Sequence, residues 1–178
     1  MAPLGRKAGN SLHAFGVRQL RRLEALFDLA QDITGDFYHL GAEEARGVPY
    51  EFRTLAELHQ EEIHENGVLA DIARYQYADR AFGRKRDLYR VNIQDHNIIQ
   101  SLNRAKDRIA FSPLMLYVLT HEIVHVIRFV KFLAPFHMDE KDRTTEENRV
   151  HTITQSILSR VPMPGMDHVL TRYLHLAE

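Results

Sequence analysis

The segment from Pro113 to Leu133 constrains this chain more than any other, because apolar side chains there cover almost every direction around a helix axis. Leu114 to Leu119, Ile123, Val124, Val126, Ile127, Phe129 and Val130 leave such a helix no solvent face. Ser112 ahead of Pro113 reads as an N-cap before a proline at the first helical position, and Pro135 follows the end of the run. The run also carries His121, Glu122, His125, Arg128 and Lys131, too many polar groups for a membrane span. Residues 1–12 lack a signal peptide's continuous apolar stretch. The expectation is a central buried helix in a soluble, cytoplasmic protein with no membrane partner.

Around that helix the apolar spacing changes period. Val17, Leu20, Leu23, Phe27 and Ala30 recur at three- and four-residue steps and predict a first helix, with Gly35 placed to end it. Phe52, Leu55, Leu58 and Ile63 predict a second, stopped at Asn66 and Gly67. Tyr89, Val91 and Ile93 then alternate with Arg90, Asn92 and Gln94, the period of a half-buried strand. Val68 to Tyr77 permit an opposing strand, with residues 79–85 as the hairpin loop, although residues 67–77 fit a helix equally. A last long helix is expected from Thr144 or Thr145, with Val150, Ile153, Ile157 and Val161 as its core stripe, stopped by Pro162. A short helical segment over residues 167–176 closes the chain.

Cysteine is absent, so disulfides, thiolate metal sites and cysteine nucleophiles are ruled out, and any metal must sit on nitrogen and oxygen. The net charge is -1 with cations spread among carboxylates, which gives no footprint for nucleic acid. Histidine, by contrast, occurs 11 times.

Two of those histidines define the chemistry. His121-Glu122-Ile123-Val124-His125 is an HExxH sequence, and residues four apart on a helix lie one turn apart on one face, so both imidazoles reach one ion. Glu122 points beside the ion and can take a proton from a bound water. Buried polar side chains in so apolar a helix need compensation, and a metal supplies it. A third ligand comes from the following helix, where Glu146, Glu147 and His151 are candidates and Glu147 leads. The alternative use of Glu147 is a capping box with Thr144.

Together these residues resemble the zincin metallopeptidases of the gluzincin type, over roughly residues 87–160. In that family an HExxH helix is followed by a helix that donates a glutamate. The resemblance implies that His121, His125 and Glu147 hold Zn²⁺, with Glu122 as general base and then acid in peptide-bond hydrolysis. It also implies that the Leu88–Gln94 strand pairs with an extended peptide or protein substrate, and that an oxyanion donor such as His168 or Tyr173 exists. Lys131 stands where a metzincin would carry its third histidine, which excludes that branch. Val124 replaces the usual small residue, and His151 stands where an acidic residue is usual.

A second resemblance competes. Glu61 to His64 repeats the ExxH spacing of Glu122 to His125, and single carboxylates at Glu24 and Glu147 complete the ligand set of a ferritin-like bundle holding two iron or manganese ions. A third reading is a metal-stabilised interaction module whose contact loop holds Tyr75, Tyr77 and Phe82 beside Arg80, Arg84, Lys85 and Arg86. The fold expected is α+β, a mainly helical single domain with a small β-hairpin or sheet around the buried HExxH helix. Residues 1–66 form its N-terminal helical part and 67–178 its metal-binding, zincin-like core, together one compact unit.

Overall fold

A computed structural model of the chain describes residues 12–65, 67–78, 85–104 and 109–173. In chain order it contains α1 (Val17–Phe37), α2 (Ala42–Arg46), β1 (Tyr50–Arg53), β2 (Ala70–Ala78), β3 (Lys85–Ile93), α3 (Asp95–Arg104), α4 (Phe111–Val130), α5 (Glu140–Leu158) and α6 (Met166–Tyr173). It is an α+β fold, mostly helical, with one small mixed sheet. The strand order is β1-β3-β2, with β1 parallel and β2 antiparallel to β3.

The apolar surface of α4 organises the packing. Leu114, Met115, Leu116, Leu119, Val124 and Val126 are almost entirely buried, because α1, α5, α6 and β2 all pack against this one helix. α4 has the length and hydropathy of a membrane span, yet 94% of that apolar window is buried within the protein. Its N-cap is Ala110 rather than Ser112, which puts Pro113 third in the helix. Proline costs nothing there, since the first four N–H groups have no intrahelical acceptor. Its end is not set by Pro135 either. Phe132 takes a left-handed φ of 55° after the C-cap, and the Leu133 N–H returns to the Arg128 carbonyl at 2.8 Å, a closure usually given to glycine.

The first helix forms as expected but faces inward with Leu23, Leu26, Ala30 and Thr34, while Val17 and Leu20 are exposed. It passes Gly35 by two residues, and His39, at φ 53°, makes the left-handed turn instead. The hairpin partner strand is present as β2, in register Ile72 with Val91 and Arg74 with Tyr89. Its connecting loop at residues 79–84 lies outside the described residues.

The helix expected over Phe52–Ile63 does not form. Phe52 belongs to β1, which pairs with β3, and the remainder makes two single 3₁₀ turns at Leu55–Glu57 and Gln60–Glu62. Each turn is closed locally, by the Glu57 carboxylate accepting the Thr54 N–H and by Glu62 accepting the His59 N–H at 2.8 Å. The three-residue apolar spacing imitates a helix, but the central strand claims the first turn's backbone. α5 starts at Glu140, capped by Asp139, whose carboxylate accepts the Asp142 N–H at 2.8 Å. The Thr144 hydroxyl donates to Glu140 O within the helix, so Glu147 is not a capping residue.

Sequence periodicity gave no warning of α3, which begins with a buried polar group. The Gln94 side chain donates to Glu62 O at 2.8 Å and accepts the His64 N–H at 3.1 Å. The Asp95 carboxylate accepts the N–H groups of Phe15 at 2.8 Å and Leu55 at 3.1 Å, and Asn97 donates to the carbonyls of His64 and Val68. Asp95→Ala strands two buried N–H groups, so urea unfolding should show a loss of about 2–4 kcal/mol, with a smaller loss for Asp95→Asn.

Candidate metal centre

Helix geometry places His121, Glu122 and His125 on the side of α4 that meets α5, and all three are buried. Glu147 of α5 lies across from them. Its Oε2 is 3.3 Å from His121 Nε2 and its Oε1 is 3.3 Å from His125 Nε2. Donors arranged tetrahedrally at about 2.0–2.1 Å from an ion lie about 3.3–3.4 Å apart, the spacing of each imidazole from its own Glu147 oxygen; among the described residues the three whose ligand atoms all lie within 4.8 Å of one another are His121, Glu147 and His151. Each ring presents Nε2 to Glu147, and among the described residues neither buried Nδ1 has a hydrogen-bond partner.

Glu146 does a different job. Its carboxylate is buried against the Arg128 guanidinium, which reaches it through both Nε and, at 2.9 Å, Nη2. Arg128 lies one turn beyond His125 and Glu146 directly precedes Glu147, so this pair locks α5 to α4 in the register that aims Glu147 at the histidines.

Protonation follows burial and neighbours. Burial pushes His121 down to about 4, assisted by the charges of His125 and His151 and opposed by its bond to Glu147. For His125 burial acts the same way but is outweighed by the bond to Glu147 and the charge of Glu122, so its pKa rises. The two rings share one carboxylate, and only His125 has the second carboxylate beside it. Burial would raise Glu147, yet its bonds to both imidazoles hold it well below the usual carboxylate range. Burial lifts Glu122 up to about 7, with Glu147 and Asp71 adding to the rise and His125 opposing it. One carboxylate is thus committed to its charge while the other exchanges protons near neutral pH.

His151, one turn after Glu147, completes the cluster. A ring nitrogen of His151 lies within 4.8 Å of ligand atoms of both His121 and Glu147, so distance alone would admit it as a ligand. The Tyr117 hydroxyl is 2.7 Å from His151 Nδ1, and burial first, then Tyr173 and Glu147, hold that phenol well above its ordinary pKa, so it keeps its proton. Burial also lowers the pKa of His151, so the ring is neutral. With the ring proton on Nδ1, donated to the Tyr117 oxygen, Nε2 is open to an ion beside His121; with the proton on Nε2, the ring is a donor.

His121, Glu122, His125, Glu146 and Glu147 line a cleft of about 430 Å³, bounded on other sides by Ala70 to Ile72 of β2, Phe136 to Met138 and Arg143. Asp71 is held by the side chains of Asn92 and Gln94, each at 3.2 Å. Glu24 and Glu61 are exposed, and His64 lies 3.4 Å from Asp71 rather than beside His125. The segment holding Glu61 and His64 is not a helix, so the four-helix arrangement of the two-ion reading is not built. His168 is exposed, and Tyr173 stacks on Tyr117. Tyr75 is engaged by Glu62 and Arg90, and Phe82, Arg80 and Arg84 lie outside the described residues. Strand β3, which contains Leu88 to Ile93, is central and has both edges occupied. The outer strand beside the cleft is β2.

Tyr117 and Arg128 were within reach of sequence reasoning, at four residues before His121 and three after His125 on the same helix. Asp71 and Phe136 carried no such signal. Comparison with protein-family models, with curated proteins and with solved structures yields no match.

Two outcomes follow from this geometry. Glu147→Ala removes one of three donors and should weaken zinc affinity more than about 100-fold, read by competition with a chelating dye. A carboxyl whose folded-state pKa is raised costs stability as pH climbs from about 4.5 to about 7. Metal-free Glu122→Gln should therefore match the parent near pH 4 and exceed it by roughly 2–3 kcal/mol above pH 8, measured by urea unfolding.

Proposed function

We propose that this chain is a zinc-dependent hydrolase that cleaves peptide bonds, with His121, His125 and Glu147 as metal ligands and Glu122 as catalytic acid and base. The observation that carries the reading is the placement of one charged carboxylate, Glu147, across both imidazoles, with a second, Glu122, titrating near neutrality in the same cleft. A zinc ion, when bound, supplies Lewis acidity: it makes water a nucleophile at neutral pH and polarises a carbonyl.

The chain's own groups handle the protons. Glu122 takes a proton from the attacking water and delivers it to the amide nitrogen as the C–N bond breaks, giving a carboxylate and an amine. Its pKa near 7 suits both halves of that transfer. When its proton lies on Nε2, His151, bonded to Tyr117 and packed against His121, is the group placed to donate to the oxygen that gains charge. This is the role that the resemblance to gluzincins would have given His168 or Tyr173. An outer strand beside the cleft supports a peptide as substrate, because an extended chain can add to a free strand edge.

Two histidines and one carboxylate also suit ferrous iron. Glu122 favours hydrolysis, since a base poised beside the ion is what water activation needs. The burial of α4 supports a soluble, cytoplasmic setting as part of the same proposal.

Purified protein should carry about one zinc per chain by elemental mass spectrometry, and Glu122→Gln should retain that zinc while losing peptide cleavage about 1,000-fold or more. Two iron or manganese ions per chain would overturn the reading. So would Glu61→Gln losing metal as completely as Glu147→Ala.

A further inference from the structure

Beside the metal cleft lies a second cavity, of about 510 Å³, between the far ends of β2 and β3 and the residues that follow α4. Its walls are aromatic. Tyr89 stacks on Phe129 at 5.9 Å, Phe136 meets Phe129 edge-on at 5.2 Å, and Tyr89 and Phe136 are 6.0 Å apart. Phe129, Phe136 and His137 line both this cavity and the metal cleft, so the two share a wall.

Two arginines line it, Arg74 of β2 and Arg86 of β3, and neither is free. The Arg74 guanidinium holds Asp87 at 2.7 Å and lies 5.9 Å over the Phe136 ring. The cavity therefore selects neither an acidic nor a basic group there, and its size and rings suit a large apolar side chain.

Phe132 is the feature that the fold leaves unexplained. It is 94% exposed and adopts a left-handed φ, so it is strained without being packed. It also lines this cavity, where an apolar lip has something to cover.

Strand β2 sets the spacing. Ala70 to Ile72 line the metal cleft and Arg74 lines the aromatic cavity, two residues further on, about 7 Å along a strand. Among the described residues no backbone hydrogen bond is made from the outer edge of β2. An extended peptide laid along that edge shares its period.

We infer that the aromatic cavity is a side-chain subsite, and that the substrate is an extended peptide carrying a large apolar or aromatic residue about two positions from the bond at the metal. This rests on the hydrolase reading for the cut and on the cavity alone for the selectivity.

The test uses the zinc-loaded full chain and two sets of blocked heptapeptides, cleavable and with a reduced, uncleavable central bond, bearing Phe, Leu or Ala at successive positions. Phe and Leu at one position should raise kcat/KM about 10-fold or more over Ala. Val130→Phe, which fills the cavity from the end of α4, should collapse that ratio. Phe132→Ala should reduce it, and its exposure keeps folding out of the comparison. Cleavage with no preference at any position would overturn the subsite and leave the hydrolase reading standing. Preferential binding of Phe peptides without cleavage, lost in Val130→Phe, would support the subsite and overturn the hydrolase. Equal binding of Phe and Ala peptides with no cleavage would overturn both.

Discussion

Burial of α4 on every side is the constraint from which the rest of the architecture follows. A helix with no polar face must be covered by something in each direction, and here α1, the sheet, α5 and α6 divide the task. Coverage excludes water, which lowers the proton affinity of His121 and raises that of Glu122, while at His125 the bond to Glu147 and the charge of Glu122 outweigh it. The same packing that stabilises the fold makes the cluster chemically unlike three exposed side chains.

The buried Arg128 and Glu146 pair is the second element of that design. Opposite charges removed from water contribute little net stability, but either one alone would be strongly destabilising. The pair therefore acts as a register lock: α5 slipped by a turn would leave both charges unpaired. Successive residues on a helix point about 100° apart, so Glu146 turned to Arg128 leaves Glu147 turned to the two imidazoles. The precision of the candidate metal centre derives from a neighbouring contact that has no part in its chemistry.

A comparable polar hub sits at the end of β3, beside Asp71. Gln94, Asp95 and Asn97 satisfy backbone groups of Phe15, Leu55, Glu62, His64 and Val68. The irregular stretch between β1 and β2 is held by side chains rather than by a helix ladder. That arrangement brings the chain to the start of β2, and so places Asp71 and the free strand edge at the cleft.

The sequence by itself determined the helix that carries HExxH, the strand pair opposite it and the presence of a glutamate helix downstream. Those signals are local: an all-round apolar run, a period of two, and polar residues spaced one turn apart need no distant partner to be read. Tertiary structure decided what local pattern could not. Phe52 to Ile63 has helical spacing, but β3 offers the Phe52 backbone a ladder, and short side-chain caps close the turns after it. That Glu146 turns away from the histidines while Glu147 and His151 face them depended on Arg128, a residue 18 positions before Glu146 along the chain. The strand at the cleft proved to be β2 rather than β3, because β1 occupies the other edge of β3. Each of these is a choice among equally local alternatives, and only contacts between segments distant in sequence carry the energy difference that makes it.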